Sequence, residues 1–135
     1  MRNFIRLKAF ERELKDILKK FPKSEEDIDN EFKNIFKNPD LGETYNLHKF
    51  IGIPDDILKI KKYNIGLKKY KIQPKDGLRL IYTYIIKANI VVYLIIYHKK
   101  GFKSRQESKV QALIRERAIQ AIELAANLFK NGQNN

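Results

Sequence analysis

The spacing of apolar residues changes several times along the chain, and each change marks an element. A short apolar stretch at residues 4–7 reads as a first strand. Leu7, Phe10, Leu14, Ile17, Leu18 and Phe21 then recur at helical intervals, with Lys and Glu filling the opposite side until Pro22. That pattern predicts an amphipathic helix ended by proline. Ser24-Glu25-Glu26-Asp27 has the look of a capping box with acids in the first turn. It opens a second helix whose stripe is Ile28, Phe32, Ile35 and Phe36 and which stops at Asn38-Pro39. So short a connection predicts an antiparallel helix hairpin.

Residues 40–54 carry Gly42, Gly52 and Pro54 and read as an irregular surface connection. Ile57-Leu58-Lys59-Ile60-Lys61 predicts a half-buried strand, with Lys59 and Lys61 on the side opposite Leu58 and Ile60. Tyr70-Lys71-Ile72 repeats this in miniature, and Pro74-Lys75-Asp76-Gly77 is a turn. Two strongly apolar strands follow at residues 78–86 and 90–97, joined as a hairpin around Lys87-Ala88-Asn89. Ser104-Arg105-Gln106-Glu107 is a second capping-box pattern. After it Val110, Leu113, Ile114, Ala118, Ala121, Ile122, Ala125 and Leu128 keep helical spacing to an end near Lys130, leaving 131–135 as a frayed polar tail.

The predicted order is β-α-α-β-(β)-β-β-α in a single domain over residues 1–135. It defines an α+β fold: a small, mainly antiparallel sheet, an N-terminal helix hairpin on one face and a long C-terminal helix. The other face is expected to be open and lined by Lys and Arg at alternate strand positions.

Charge changes the picture. There are 28 lysines and arginines against 16 acids, a formal net charge of +12 in 135 residues. Such a surplus attracts polyanions, with nucleic acid the first partner to consider. No cysteine is present, which removes disulfides and thiolate metal sites and fits the reducing cytosol. Two isolated histidines, His48 and His98, make no metal motif, so no metal or other cofactor is expected. The first residues lack the unbroken apolar core of a signal peptide, and the longest apolar run is too short to span a bilayer, so no membrane partner is expected either. The expected location is the cytoplasm.

Placement sharpens the charge argument. If the two apolar strands pair, Arg79 and the cluster His98, Lys99 and Lys100 come to the same end of the sheet. That is a phosphate-sized positive site on a rigid platform. Tyr82, Tyr84, Tyr93 and Tyr97 read as core and cross-strand packing, and His48 as a loop residue.

The layout and several segments resemble the RelE/ParE toxin superfamily of bacterial and archaeal toxin–antitoxin systems, over roughly residues 4–115. FERELKDILKKFPKSEEDI resembles its helix hairpin, and Asn38-Pro39-Asp40-Leu41-Gly42 the end of its second helix. Leu58-Lys59-Ile60-Lys61 is similar to its basic strand. Gly77-Leu78-Arg79-Leu80-Ile81-Tyr82 is similar to its Gly-aromatic-Arg strand, and Ile96-Tyr97-His98-Lys99 to its apolar strand ending in a basic pair. The chain departs in having Leu78 for the aromatic, and Phe102 near the place where many ribonuclease members carry a tyrosine.

The resemblance implies a RelE-like mRNA interferase: a metal-independent endoribonuclease that cleaves mRNA on the ribosome and is held in check by a cognate antitoxin, with no small-molecule cofactor. Such cleavage uses the substrate's 2′-hydroxyl as nucleophile and needs a proton acceptor, cations on the phosphorane and a donor for the 5′ oxygen. Arg79 suits the phosphate clamp, being planar and permanently charged. Lys59, Lys61 and Lys71 are candidates for phosphate binding or, with a depressed pKa, for the base. His98 suits either proton role, and Lys99 is a second phosphate cation. Lys62, Lys68, Lys69, Lys75, Lys100 and Lys103 are the wider RNA-binding set. Two other functions compete: a gyrase-targeting toxin like the ParE branch, and a non-catalytic, degenerate nucleic-acid-binding member. Convergence of Arg79, Lys99 and Lys61 or Lys71 on one open face favours the nuclease; dispersal favours the gyrase toxin.

Overall fold

The computed structural model describes residues 2–45, 58–101 and 107–133. Strand β1 (Asn3–Arg6) leads into helices α1 (Lys8–Lys20) and α2 (Glu25–Lys37). Strands β2 (Glu43–Thr44), β3 (Leu58–Ile65), β4 (Leu78–Ile85) and β5 (Ile90–His98) follow, and helix α3 (Glu107–Gln133) completes the order. The sheet runs β1-β5-β4-β3-β2. β1 lies parallel to β5, and every other neighbouring pair is antiparallel. The coarse expectation, α+β with a helix pair before the sheet and a long last helix, agrees with this architecture.

Aromatic rings join the helix pair to the sheet. Tyr93 of β5 packs its ring 4.7 Å from Phe32 of α2 and 5.6 Å from Phe10 of α1. Phe10, Ile28 and Ile35 are fully buried beside them. Truncating one such ring costs about 3–5 kcal/mol, through lost burial and the cavity left behind.

The hairpin turn is also tied to β1. Asn89 adopts a left-handed φ of 51°, which asparagine tolerates better than most residues. Its Oδ1 accepts from Arg2 Nε (3.0 Å) and Tyr84 Oη (3.2 Å), and its carbonyl from Asn3 N (3.2 Å).

A β-bulge between Ile81/Tyr82 and the facing strand inserts Leu94. β1 pairs with β5 only as far as Arg6↔Tyr93, so the edge of β5 beyond it must find other partners. Arg117 of α3 donates to the Leu94 carbonyl (2.8 Å) and to Glu13 Oε1 (2.7 Å), and that oxygen also accepts from Ile96 N (3.3 Å). One ion pair therefore satisfies the bulged edge and links α1 to α3.

Several expectations are corrected. Ser24 does not form a capping box: its buried hydroxyl donates to the Phe21 carbonyl (2.7 Å), closing the turn after Pro22. The stretch read as irregular contains the edge strand β2, paired Glu43↔Lys62 and Thr44↔Lys61. Tyr70-Lys71-Ile72 is not a strand. Residues Lys68–Tyr70 form a 3₁₀ turn and Lys71 is left-handed at φ 57°. The cause is the mutual pairing of Leu67 with Ile72 (2.9 and 3.0 Å), which closes the intervening residues into a tight loop. Helix α3 continues to Gln133 through most of the expected tail. The second capping box lies outside the described residues.

The expected open face is largely covered. Ile81, Thr83, Val92 and Ile95 point away from α1 and α2 yet are buried, and α3 packs against β4 and β5. Among the described residues of β3 and β4 on that face, Lys62, Asn64 and Arg79 at one end retain exposure.

Candidate phosphate-binding site

Residues directly opposed in a ladder share a face of the sheet. Asn64 opposes Arg79, and Arg79 opposes Tyr97, so these three form a row across β3, β4 and β5. Lys62, opposite Ile81, stands on the same face. Lys99 follows the end of β5 in a 3₁₀ turn (Lys99–Gly101), and its amide is held by the Gly77 carbonyl (3.1 Å).

The side chains of this row form a cationic group. Arg79 Nη1 donates to the Tyr97 hydroxyl at 3.5 Å, while Arg79 Nε is buried without a hydrogen-bond acceptor. Lys99 Nζ donates to the carbonyls of Lys75 (2.8 Å) and Pro74 (3.3 Å). Partial burial, with Arg79 beside it, pushes the Lys99 ammonium below its ordinary pKa; Lys62 acts in the same sense and Asp76 and Glu43 oppose it. Lys62 pairs with exposed Glu43 at 3.4 Å and lies over the Tyr45 ring. A surface pair of that kind is worth little, so Lys62 is readily released to a stronger anion.

The bulge decides which residue of β5 joins Arg79. Without it the register would set Arg79 opposite Ile96 and bring His98 onto its face. The extra residue shifts the register by one, puts Tyr97 beside Arg79 and turns His98 to the other side. There His98 meets Phe21 edge-on (ring centroids 5.1 Å), with Nδ1 3.5 Å from Lys20 Nζ. Burial first, then the Lys20 charge, holds its pKa below the ordinary histidine value. His98 and Arg79 share an end of the sheet but not a face.

Lys59 and Lys61 also face the α1/α2 side. Lys59 Nζ lies 2.9 Å from Asp40 Oδ1, and this contact chiefly holds the Asp40 carboxyl below its usual range. Lys61 is 5% exposed. Its ammonium donates to Thr44 Oγ1 (3.1 Å), Gly42 O (3.3 Å) and Asp40 O (3.5 Å). Tyr82 donates to the Pro39 carbonyl (2.8 Å) and accepts from Gly42 N (3.1 Å); burial pushes its pKa up to about 12. Gly42 has no room for a side chain, since a Cβ there would sit 2.8 Å from the Lys62 carbonyl. Lys61 and Tyr82 thus act as pins for the strap running into β2.

The remaining candidates spread along the loop edge. Lys68, Lys69 and Lys71 are exposed around the 3₁₀ turn, with Lys69 3.8 Å from Glu26. Lys71 stands on the rim of a cavity lined by Asp27 and Glu31, whose walls do not include Arg79. Lys75 and Lys100 are exposed near Lys99. Lys103, with His48 and Phe102, lies outside the described residues.

Of the named catalytic set, the structure brings together Arg79 and Lys99, adds Lys62 from the wider set, and separates Lys59, Lys61, Lys71 and His98 from them. Tyr97 is the residue that sequence reasoning missed. Its signal was its position within the apolar strand facing Arg79, masked by the bulge.

Among the described residues no group of His, Cys, Asp or Glu is placed to hold a metal ion, and no helix is long and apolar enough to cross a membrane. No protein-family model matches the chain, and no curated protein matches its sequence.

Proposed function

We propose that the chain is a RelE/ParE-type toxin of a toxin–antitoxin system, acting in the cytoplasm as a metal-independent endoribonuclease on ribosome-bound mRNA. One observation carries the reading: Arg79, Lys62 and Lys99 converge at an exposed end of one sheet face, with a tyrosine hydroxyl against the guanidinium. Three cations at close quarters repel one another unless an anion joins them, which suits a phosphodiester. The mixed sheet with its leading helix pair agrees with the fold that the resemblance implies.

In this scheme Arg79 and Lys62 hold the scissile phosphate and stabilise charge on the phosphorane. Lys99 loses its proton more easily than an ordinary lysine and accepts the one from the 2′-hydroxyl. That oxygen attacks phosphorus, the bond to the 5′ oxygen breaks, and Tyr97 protonates the leaving oxygen. The products are a 2′,3′-cyclic phosphate and a 5′-hydroxyl. The cognate antitoxin presents acidic groups to the same cations. An amphipathic part of it would seat in the apolar groove of Phe4, Phe32, Phe36 and Tyr93, rimmed by Arg6, Lys33 and Lys37.

The test is induced expression of the wild-type chain and of Arg79→Ala at equal soluble level, with primer extension on an abundant mRNA. Growth arrest with new mRNA ends, both lost in the variant, is the expected result. The separation of Lys61 and Lys71 from Arg79 favours the gyrase-targeting alternative, and arrest with intact mRNA would select it. RNA binding with neither arrest nor cleavage would select the degenerate binding module.

A further inference from the structure

Beside the cationic row lies a cavity of about 520 Å³ between α2, the end of β3 and the loop that follows. Its walls carry Asn30, Glu31, Tyr63, Asn64, Lys71 and Gln73. Two contacts join it to the phosphate site. Asn64 is the direct ladder partner of Arg79, and Pro74, also in the wall, gives its carbonyl to Lys99.

The chemistry inside is unusual for a surface recess. Glu31 Oε2 is buried and accepts no hydrogen bond. The Tyr63 phenol is held well above its ordinary pKa, by burial first and then by the Glu31 carboxylate. A buried acceptor without a donor is costly, so its persistence points to a donor brought by a ligand. Amides at Asn30, Asn64 and Gln73 offer donors to a ligand carbonyl beside that acceptor.

We propose that this cavity receives a guanine base of the RNA strand whose phosphate lies on Arg79, with Glu31 accepting from the guanine N1–H and N2–H₂ edge. The inference rests on the RNA reading above. Guanine presents adjacent N–H donors next to a carbonyl, matching a carboxylate flanked by amides, whereas uracil offers a single N–H between two carbonyls. The cavity falls in the ordinary range for ligand sites. Exposed Lys68 and Lys71 at its rim would take the neighbouring phosphate.

The test measures binding of single-stranded RNA octamers, oligo-U with one central G, A or C, to the full chain by fluorescence anisotropy. The G octamer is expected to bind about ten-fold or more tightly than oligo-U, as one charge-assisted hydrogen bond allows. Glu31→Gln should erase that preference, leave oligo-U affinity in place and keep or raise the thermal midpoint, because it removes a buried carboxylate oxygen that has no donor. Asp29→Asn, an exposed acid of α2 outside the cavity, should keep the preference and so control for charge. Equal binding of all octamers, or a G preference that survives Glu31→Gln, overturns the base pocket while the phosphate site stands. Loss of all RNA binding overturns both.

Discussion

Lys61 and Lys62 are consecutive lysines on one strand, and they have opposite surroundings. Lys61 is buried, its ammonium occupied by two carbonyls and a threonine hydroxyl. Lys62 is half-exposed, held by a surface glutamate and the Tyr45 ring, and shares the face of Arg79. A strand alternates its side chains between faces, so one step along the backbone separates a structural pin from a cation open to an anion. Charge count on a strand therefore says less about function than parity does. The same lesson holds on β5, where Tyr97 and His98 exchange faces because of a single bulged residue.

The largest expected effect tests the Lys62 side of this comparison. Arg79→Ala should lower the rate of RNA cleavage by about a hundred-fold or more, as loss of a preorganised charge donor does, with the fold retained by circular dichroism. Arg79→Lys should rescue it poorly, because an ammonium cannot reproduce a planar fork. Full rescue by lysine would remove the clamp role.

On the opposite face, Lys61→Met should cost about 2 kcal/mol of stability by leaving carbonyls of the 39–44 strap unpaired. A urea titration measures this. RNA affinity, read where the variant is still folded, should not change. Wild-type stability combined with lost affinity would reverse the assignment of the two faces.

Two pH profiles sharpen the picture further. Lys99 has a lowered pKa, so cleavage should rise with pH as its ammonium deprotonates, and Lys99→Arg should flatten that limb. His98 has a folded pKa below its ordinary 6.5. Between the two values the unfolded chain binds more protons, so stability rises with pH across that window and falls on acidification through it. In His98→Gln this slope should disappear from thermal melts. A slope of opposite sign would place a carboxylate against the ring.

Much of the fold was legible in the sequence. The stripes of Phe10, Leu14 and Ile17 and of Ile28, Phe32 and Ile35 specify two helices, because burial demands that spacing. The runs on either side of Lys87-Ala88-Asn89 specify the hairpin. The site was only half legible. Arg79 and Lys99 stand out as cations beside apolar strands, but the bulge lies within an unbroken apolar run, where no polar residue betrays a change of parity. Lys61 sits at an alternating position that ordinarily faces water, and its burial depends on Asp40, Gly42 and Thr44 folding back onto it. Lys71 takes a left-handed conformation because Leu67 and Ile72 pair around it, a constraint that no local pattern announces. Glu31 on α2 reads as one more solvated acid until β3 and its loop close over it.

The most direct test of the account compares Lys62→Ala with Lys59→Ala in binding a single-stranded RNA octamer at several salt concentrations. Both remove one partly exposed lysine from β3, and each removes an ion pair with a surface acid. Lys62→Ala is expected to weaken binding and reduce the slope of log affinity against log salt by about one phosphate contact, while Lys59→Ala leaves both as in the wild type. Equal losses in the two variants would contradict the claim that the face bearing Arg79 is the one that meets the phosphate.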